Sequence, residues 1–448
     1  MTEAQAIINA RRKLIHTLRT HHTKTAEGGC GVIGIIGTEV IPGKTIIRSC
    51  EQMRNRGNGK GGGVAACGLF PPEYKKHTAL HIAYLDESIR SSVEKKFITA
   101  VFDVVYREQQ ATIDDYRDVG LSIPPPRVVR YFVEPKSDLL DDFMIKHGIG
   151  DRQAARDEFV FQNSFRLNYH YYAHAHQPQA FVLSHGCDLM ILKSVGYAEQ
   201  VARYYRLEET KAHIWIGHQR YPTRGRVWHP GGAHPFPGLN EALVHNGDFA
   251  NYYAVTEYLR ARGILPLFVT DTEVSALLFD FYARVLNYPL EYIIEALAPT
   301  PEGDFERLSK RRQRIYRALQ VAHIHGSPDG PWFFILGRHE PQTGINQLIG
   351  ITDVSMLRPQ VFSLVTGPQN SYGIIASEKQ AIDACLEELS TQDDRVQPVA
   401  DYYWNARGGS CSDGGHLSIL WYPIRAVFHS RFGINSVTKS SERASSDQ

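Results

Sequence analysis

Four short segments hold the residues whose types and spacing could do chemistry: 29–34, 218–223, 245–248 and 270–273. Together they supply a cysteine, an arginine, an Asn-Gly pair and an aspartate that precedes a predicted helix. Amide hydrolysis needs a nucleophile, a proton acceptor and hydrogen-bond donors for the developing oxyanion. The combination therefore predicts hydrolysis of an amide, with Cys30 as the nucleophile.

The position of Cys30 suggests where the proton acceptor comes from. A cysteine thiol has a pKa of about 8.5, so only a few per cent is thiolate at neutral pH. If residues 1–29 are a propeptide that is removed, the new α-amine of Cys30 has a pKa of about 8. That amine can take the thiol proton and return it to the departing ammonia. We therefore expect 1–29 to be a propeptide or an N-terminal extension, and no separate histidine base to be needed.

The other segments supply groups that suit a free amino acid as substrate. Asn246 and the backbone N–H of Gly247 are candidate oxyanion donors. Arg220 can hold an α-carboxylate in a bidentate pair, Thr223 can add a hydroxyl, and Asp271 can pair with an α-ammonium. Such a division of charges would select free glutamine over a protein side-chain amide.

Each of these residues also has a plainer interpretation. Cys30 can be a core cysteine, Arg220 a surface ion pair, Asn246-Gly247 a turn and Asp271 a helix cap. Further residues are candidates for substrate binding or for support of the site. Tyr221 is a candidate for substrate binding. His218 and His245, as structural hydrogen-bonding residues, and Arg56, which lies outside the four segments, are candidates for support.

The four segments, in this order and with an Arg56-Gly57 loop after the first, resemble the class II glutamine amidotransferases of the N-terminal-nucleophile fold. The variant most similar to them is the amidotransferase domain of glutamate synthase. That likeness rests on the H-Q-R-Y-x-T form at 218–223, on Trp228 ahead of A-H-P-F at 233–236, on 350–359 (GITDVSMLRP) and on A-S-E at 376–378. It covers most of residues 30–420, while 71–178 aligns with nothing.

The resemblance implies an α+β fold, a four-layer αββα sandwich of antiparallel sheets with helical insertions. It implies hydrolysis of L-glutamine to L-glutamate and ammonia through a Cys30 thioester. No pyrophosphatase, phosphoribosyl-binding, sugar-isomerase, flavin or iron–sulfur segment is recognisable. The expected chain therefore has no cofactor of its own and passes ammonia to a separate synthase subunit, which carries FMN and an iron–sulfur cluster. Two alternatives stay open: an amidase for another amide, and a catalytically silent regulatory or assembly subunit.

Composition excludes several other classes of protein. The 448 residues have a formal net charge of +1, which gives no global field for nucleic acid or an anionic membrane. No apolar run approaches the length of a membrane span. The six cysteines are widely spaced and form no C-x-x-C pair, which disfavours a zinc site or a disulfide framework. A cytoplasmic protein in a hetero-oligomer, without a metal, is the expectation.

The elements that must position these residues are strands interleaved with long helices. A strand is predicted at 30–37, helices at 43–55, 249–262, 271–286 and 304–323, and a hairpin at 180–194 around the turn 185–188. The glycine-rich 57–62 fits G-x-G-x-x-G but follows a helix and opens a strand, which is the wrong context for a dinucleotide. We predict one domain over 30–435, with 71–178 as an elaborated insertion and 436–448 as a flexible tail.

Overall fold

The structure is a computed structural model that describes residues 29–221, 229–353, 360–366, 370–405, 416–422, 425–430 and 433–435. Its strands in chain order are β1 (Gly31–Pro42), β2 (Gly62–Cys67), β3 (Thr78–Tyr84), β4 (Phe102–Gln109), β5 (Arg127–Pro135), β6 (Ala180–Ser184), β7 (Leu189–Ser194), β8 (Lys211–Gln219), β9 (Phe236–Pro237), β10 (Glu241–Gly247), β11 (Trp332–Glu340), β12 (Ile345–Thr352), β13 (Val361–Thr366), β14 (Ser371–Ala376), β15 (Tyr402–Asn405), β16 (His416–Tyr422), β17 (Arg425–Ser430) and β18 (Gly433–Asn435). Its α-helices are α1 (Gly43–Gln52), α2 (Arg90–Val93), α3 (Ser137–His147), α4 (Arg152–Asn168), α5 (Ala198–Tyr204), α6 (Tyr252–Arg260), α7 (Asp271–Asp280), α8 (Leu290–Leu297), α9 (Glu302–Phe305), α10 (Lys310–His323) and α11 (Lys379–Gln392).

Two antiparallel sheets form the centre of the molecule. Within the described residues, the first has the strand order β15-β13-β14-β1-β8-β2-β7 and the second the order β18-β17-β16-β12-β11-β10-β9. The apolar side chains between them form one continuous buried core. The sheets approach closely at Gly34, where a Cβ atom would lie 2.6 Å from Leu348 Cδ1 and 2.7 Å from Ile335 Cγ2. A glycine is therefore required there for the two sheets to pack face to face.

Helices cover the outer face of each sheet. Helices α1, α5 and α11 pack together against the first sheet, and Cys50 of α1 lies so close to β8 that a Cβ at Gly217 would be 2.4 Å from its sulfur. Helix α7 packs against β10 of the second sheet and against α6. The result is a helix–sheet–sheet–helix arrangement, which confirms the predicted α+β, αββα architecture with antiparallel sheets.

Residues 71–178 contribute most of a third sheet. Its order is β4-β5-β3-β6, so β6 joins it from outside the segment. Helix α4 packs on β5 and β6, and a separate apolar cluster fills the space between them. The predicted domain boundaries stay predictions.

The predicted hairpin at 180–194 is wrong. Strand β6 pairs with β3 of the third sheet, whereas β7 pairs with β2 at the edge of the first. The turn between them bonds to other segments: the Asp188 carboxylate accepts the N–H groups of Leu69 and Phe70 at 2.8 and 2.7 Å, and Gly186 O accepts Ala79 N–H at 3.0 Å. The turn therefore carries the chain from one sheet to another.

Two long predicted helices are shorter than expected. The helix expected at 271–286 is α-helical to Asp280 and continues as a π-helical turn over Phe281–Val285. The helix expected at 304–323 is split into α9 and α10, because Ser309 caps the second piece by accepting Arg312 N–H at 3.4 Å. No helix in the described part of the chain is both long and apolar enough to cross a bilayer.

Candidate active site

Cys30 immediately precedes β1, which lies between β14 and β8 in the first sheet. Ser377, just after β14, fastens the start of β1 by two hydrogen bonds. Its hydroxyl accepts Val32 N–H at 3.1 Å, and its own N–H donates to Val32 O at 2.9 Å. Because these bonds lie two residues from Cys30 and are buried, they fix where the strand delivers the thiol.

The next residue, Glu378, pairs with Arg56. The Glu378 carboxylate lies 3.2 Å from Arg56 Nε, and both side chains are largely buried. Arg56 ends the short 3₁₀ turn that follows α1, and its Cβ would be 3.1 Å from a Cβ added at Gly31. The structure therefore places Arg56 against the backbone beside Cys30, in keeping with the supporting role predicted for it.

The thiol itself contacts the end of the 218–223 segment through backbone atoms. Tyr221 N–H points to Cys30 Sγ at 3.4 Å, and the thiol lies 3.9 Å from Tyr221 O. Tyr221 was predicted to bind substrate, and that role stays a prediction; the contact that the structure shows is made with Cys30 by its main chain. A backbone N–H donor stabilises a thiolate more than a thiol.

Arg220 lies beside this contact and is 7% exposed. The backbone N–H of Arg220 donates to Gly61 O at 3.1 Å, and the Arg220 Cδ would be 3.0 Å from a Cβ added at Gly61. The glycine-rich 57–62 stretch therefore forms a wall against Arg220. Burial lowers the pKa of Arg220, while the negative charges of Cys30 and Asp271 act in the opposite direction.

The thiol has an unusual electrostatic setting. The pKa of Cys30 is raised to about 11 in total. Burial raises it most, and the Tyr221 N–H bond lowers it. The charges of Asp271 and Asp248 raise it further, whereas the charge of Arg220 lowers it. Three of the four predicted segments thus supply groups that reach the sulfur. At neutral pH this thiol, with Gly29 still attached, is protonated.

Asn246 and Gly247 end strand β10. Asn246 is 1% exposed, and its Oδ1 accepts no hydrogen bond from the described residues. Gly247 has a φ of 136°, and a Cβ there would lie 2.0 Å from Pro331 O, so only glycine fits. The oxyanion role of these two residues stays a prediction, and a buried amide oxygen without a partner in the described residues is of the kind found at functional sites.

Asp271 is the first residue of α7. The cap of this helix is Thr270, whose hydroxyl accepts Glu273 N–H at 3.1 Å. Asp271 Oδ1 lies 3.5 Å from His245 Nδ1. Burial raises the pKa of Asp271, but His245, the Thr272 N–H and Arg220 outweigh it and lower the pKa overall. Asp271 is therefore a partly buried carboxylate held in its charged form.

A chain of buried side chains connects β8 to α7. His218 Nε2 lies 3.2 Å from His245 O and 2.9 Å from His234 Nδ1, and His234 Nε2 lies 3.1 Å from Thr272 Oγ1. Burial lowers the pKa of His218 to about 3 and that of His234 well below its ordinary range. Neutral imidazoles in such a chain orient their neighbours, which fits the supporting role predicted for His218.

Sequence reasoning missed several of these partners. His234 and Thr272 belong to quoted motifs but had no role, although a histidine in A-H-P-F and a hydroxyl beside Asp271 were visible signals. Lys193 had no signal at all: it is 2% exposed, with Nζ 3.2 Å from Gly231 O and 3.6 Å from the Phe236 ring centre. Thr223, Trp228 and Arg358 lie outside the described residues. In the described residues, no cluster of three or more His, Cys, Asp or Glu side chains could hold a metal ion.

The fold places Cys30 directly ahead of a central strand, and comparisons with known proteins indicate the class of protein. An uncharacterized protein of Archaeoglobus fulgidus is 32% identical over 364 residues, which cover 80% of this chain and 88% of that protein. The glutamine–fructose-6-phosphate aminotransferase of Campylobacter jejuni is 37% identical over 178 residues, 38% of this chain and 29% of that enzyme. The chain belongs to the glutamine amidotransferase-like family and shares it with the Archaeoglobus protein.

Two further findings complete the comparison. No protein-family model matches the chain. The solved structure of glutamine phosphoribosylpyrophosphate amidotransferase from B. subtilis superposes with a TM-score of 0.40 and 15% identity, over 92% of this chain and 50% of that one. Against the named aminotransferase the chain spans less than a third of the relative's length, so the whole activity of that enzyme is not carried over.

Proposed function

We propose that this protein is a glutaminase subunit that hydrolyses L-glutamine through Cys30 and passes ammonia to a separate synthase subunit. One observation carries the proposal: Tyr221 N–H lies 3.4 Å from the Cys30 sulfur, with Arg220 and the Asp271 carboxylate both acting on that thiol. Nucleophile, cation and anion thus converge from the start of β1, the end of β8 and the start of α7. This is the set of charges that a free amino acid requires.

In the proposed reaction the Cys30 sulfur attacks the side-chain amide carbon of glutamine. The thiol proton moves to the α-amine of Cys30, and the carbonyl oxygen, now negative, is held by Asn246 and the Gly247 N–H. The C–N bond breaks as the amine returns the proton to nitrogen, so ammonia leaves and a thioester remains. Water then adds to the thioester, and glutamate and the free thiol are released.

The substrate's charges would meet buried partners. Arg220 takes the α-carboxylate and Asp271 the α-ammonium, with Thr223 as a further donor. Arg220 is buried and the Asp271 side chain is 25% exposed, so each pairing is better shielded from water, and therefore stronger, than it would be at the surface. The chain of His218, His234 and Thr272 keeps α7 in register with β8 and so fixes the distance between the two charges.

The reaction requires residues 1–29 to be removed, because an amide nitrogen cannot accept the thiol proton. Intact-mass analysis with a glutamine-analogue electrophile, such as a diazoketone, tests both points. We expect loss of residues 1–29 and one adduct on Cys30. An unprocessed, unlabelled chain without glutaminase activity in the presence of its partner contradicts the proposal.

For the partner, we propose the synthase subunit of a split glutamate synthase, which carries FMN and an iron–sulfur cluster. The proposal is supported by the H-Q-R-Y-x-T, A-H-P-F and A-S-E segments, all three of which have residues at the site: His218, His234 and Ser377. Co-purification from the source cells tests it. A copurifying flavoprotein that makes glutamate from 2-oxoglutarate and glutamine is the expected result; a partner with another acceptor would overturn it.

One observation favours a second candidate, the silent assembly subunit. With Gly29 attached, burial keeps the pKa of Cys30 at about 11, so the unprocessed chain has a protonated and weakly reactive thiol. A chain that stays unprocessed in its native complex, and whose Cys30→Ala variant supports full synthase activity, would establish this candidate instead.

A further inference from the structure

A cavity of about 460 Å³ is lined by residues of α4, of α7 and of the loop that precedes α7. Helix α4 lines it with Glu158, Phe161, Gln162, Phe165 and Arg166, a spacing that places all five on one helical face. Helix α7 and its π-helical continuation line it with Glu273, Leu277, Phe281 and Arg284, and the 262–268 loop closes a third side. The volume falls within the range of small-molecule pockets, which is roughly 300–1,000 Å³.

Two buried polar atoms point to an occupant of this cavity. Ser164 and His185 both line it, and they are only 1% and 7% exposed. Neither Ser164 Oγ nor His185 Nδ1 has a hydrogen-bond partner among the described residues. His185 Nε2 bonds to Gly238 O at 3.1 Å, so Nε2 carries the proton and Nδ1 presents a lone pair. Buried polar atoms without partners are rare, and these two lie within the wall, so a ligand donor has to enter the wall to supply the missing bond.

The charges around the cavity select for an anion. Arg284 is committed to Asp280 and Glu158. Arg166 bonds only to the Gln162 amide, and Arg262 bonds to Tyr258 O and stacks on the Tyr258 ring, so in the described residues neither has a carboxylate partner. Two exposed guanidinium groups from different walls therefore remain available to a carboxylate, while the carboxylate of Glu273 accepts the Leu267 and Phe268 N–H groups.

The body of the cavity is apolar and aromatic. Phe161, Phe236, Phe268 and Phe281 contribute rings, and Leu265 and Leu277 contribute branched side chains. Rings favour edge-to-face and offset contacts with another ring. We propose that this cavity binds a small aromatic carboxylate whose ring carries an O–H or N–H donor. The carboxylate meets Arg166 and Arg262, the ring lies among the phenylalanines, and the donor bonds to His185 Nδ1 or Ser164 Oγ.

The cavity adjoins segments that also form the candidate active site. Glu273 lines the cavity and shares the first turn of α7 with Asp271, and Phe236 follows His234 by two residues. An occupant therefore touches the segments that hold the substrate charges. Control of glutamine affinity by the ligand is the consequence, and only this consequence rests on the proposed glutaminase function.

Isothermal titration of the full chain with 4-hydroxyphenylacetate tests the binding directly, without an activity assay. Phenylacetate lacks the donor, and tyramine replaces the carboxylate with an amine. We expect one saturable site for 4-hydroxyphenylacetate, binding about tenfold weaker for phenylacetate, and none for tyramine. Equal binding of tyramine, or no saturable binding of 4-hydroxyphenylacetate up to about 10 mM, overturns the proposal.

Variants locate the site. Arg166→Gln and Arg262→Gln should each weaken 4-hydroxyphenylacetate by about 3- to 10-fold, whereas Arg311→Gln, an exposed arginine on α10, should leave it unchanged. Leu277→Trp should fill the cavity and abolish binding. If Leu277→Trp does not fold, as judged by circular dichroism, the two arginine variants still decide. Wild-type affinity in both of them would show that the ligand binds elsewhere.

Discussion

Helix α7 contributes residues to two environments that differ in polarity. On its first turn Asp271 and Thr272 contact His245 and His234, so charged and neutral polar groups are paired there. Further along, Leu277 and Phe281 face the cavity, whose body is apolar and aromatic. Both environments hold buried polar atoms without a partner in the described residues: His218 Nδ1, His245 Nε2 and Asn246 Oδ1 in the first, and Ser164 Oγ and His185 Nδ1 in the second. The first environment is therefore suited to holding charges in place, and the second to covering an apolar surface.

The largest expected effect lies on the paired side. Replacing Cys30 by Ser should reduce glutaminase activity at least about 1,000-fold, because a hydroxyl is a far weaker nucleophile with the same base. Activity is measured as glutamate release, and labelling by the diazoketone should also vanish. Cys385→Ala, at a buried thiol of α11, is the matched control and should keep both. Retained glutaminase activity in Cys30→Ser would contradict the proposed role of Cys30 as the nucleophile.

Glu273 stands between the two environments and should make stability depend on pH. Burial raises its pKa to about 7, although the N–H groups of Leu267 and Phe268 and the charge of Lys193 lower it. The folded state thus keeps a proton that the unfolded state loses near pH 4.5, so the free energy of unfolding falls as pH rises between these values. The loss is at most about 3 kcal/mol for this group.

Urea unfolding at pH 5 and pH 7.5 measures this slope. Glu273→Gln should remove this contribution to the pH dependence. The free energy of unfolding of the variant should therefore change less between pH 5 and pH 7.5 than that of the wild type. An identical slope in wild type and variant would show that Glu273 does not hold the proton.

Asp271→Asn removes a charge from the paired side. The Michaelis constant for glutamine should rise by about 10- to 100-fold, with a smaller change in kcat, because a charged hydrogen bond contributes about 1.5–3 kcal/mol. Steady-state kinetics separate the two constants. Glu302→Gln is matched, since Glu302 is the exposed first residue of α9, and it should change neither. A fall in kcat alone would mean that Asp271 does not bind the α-ammonium.

Two buried serines, one in each environment, test the comparison through smaller changes in the free energy of unfolding. Ser377→Ala leaves Val32 N–H without its acceptor, and it should lower the free energy of unfolding by about 1–2 kcal/mol. Chemical denaturation gives the value, and Ser377→Thr, which keeps the hydroxyl, should recover part of it. A neutral Ser377→Ala would mean that the start of β1 is held by other contacts.

Ser164→Ala should have the smallest effect and the opposite sign. Its hydroxyl has no partner in the described residues, and alanine is the better helix former, so the free energy of unfolding should rise by about 0.5–1 kcal/mol. The same denaturation experiment measures it. Destabilisation as large as that of Ser377→Ala would remove the distinction between the two sides.

The sequence predicts the paired side well, because its chemistry constrains residue types at particular positions. Cys30, Arg220 and Asp271 were identified from motifs, and the structure places all three within electrostatic reach of one another. What the motifs did not supply were contacts made by the main chain, such as Tyr221 N–H on the sulfur. A backbone donor leaves no trace in the identity of its residue.

The cavity side could not be predicted, for a different reason. A helix such as α4 shows the same amphipathic pattern whether its apolar face is covered by protein or by a ligand. The wrong hairpin at 180–194 has a similar origin, since two apolar runs around a turn read alike when they pair and when they enter different sheets. In both cases the deciding partners, Asp188 with Leu69 for example, are distant in sequence.

The raised pKa of the partly buried Cys30 thiol has a consequence for its reactivity with oxidants. With a pKa of about 11, little of Cys30 would be ionised at pH 7.5. Peroxides and alkylating metabolites react with the ionised form, so Cys30 should resist oxidation while Gly29 remains attached. If residues 1–29 are removed as proposed, sensitivity of Cys30 to peroxide should appear only after that step.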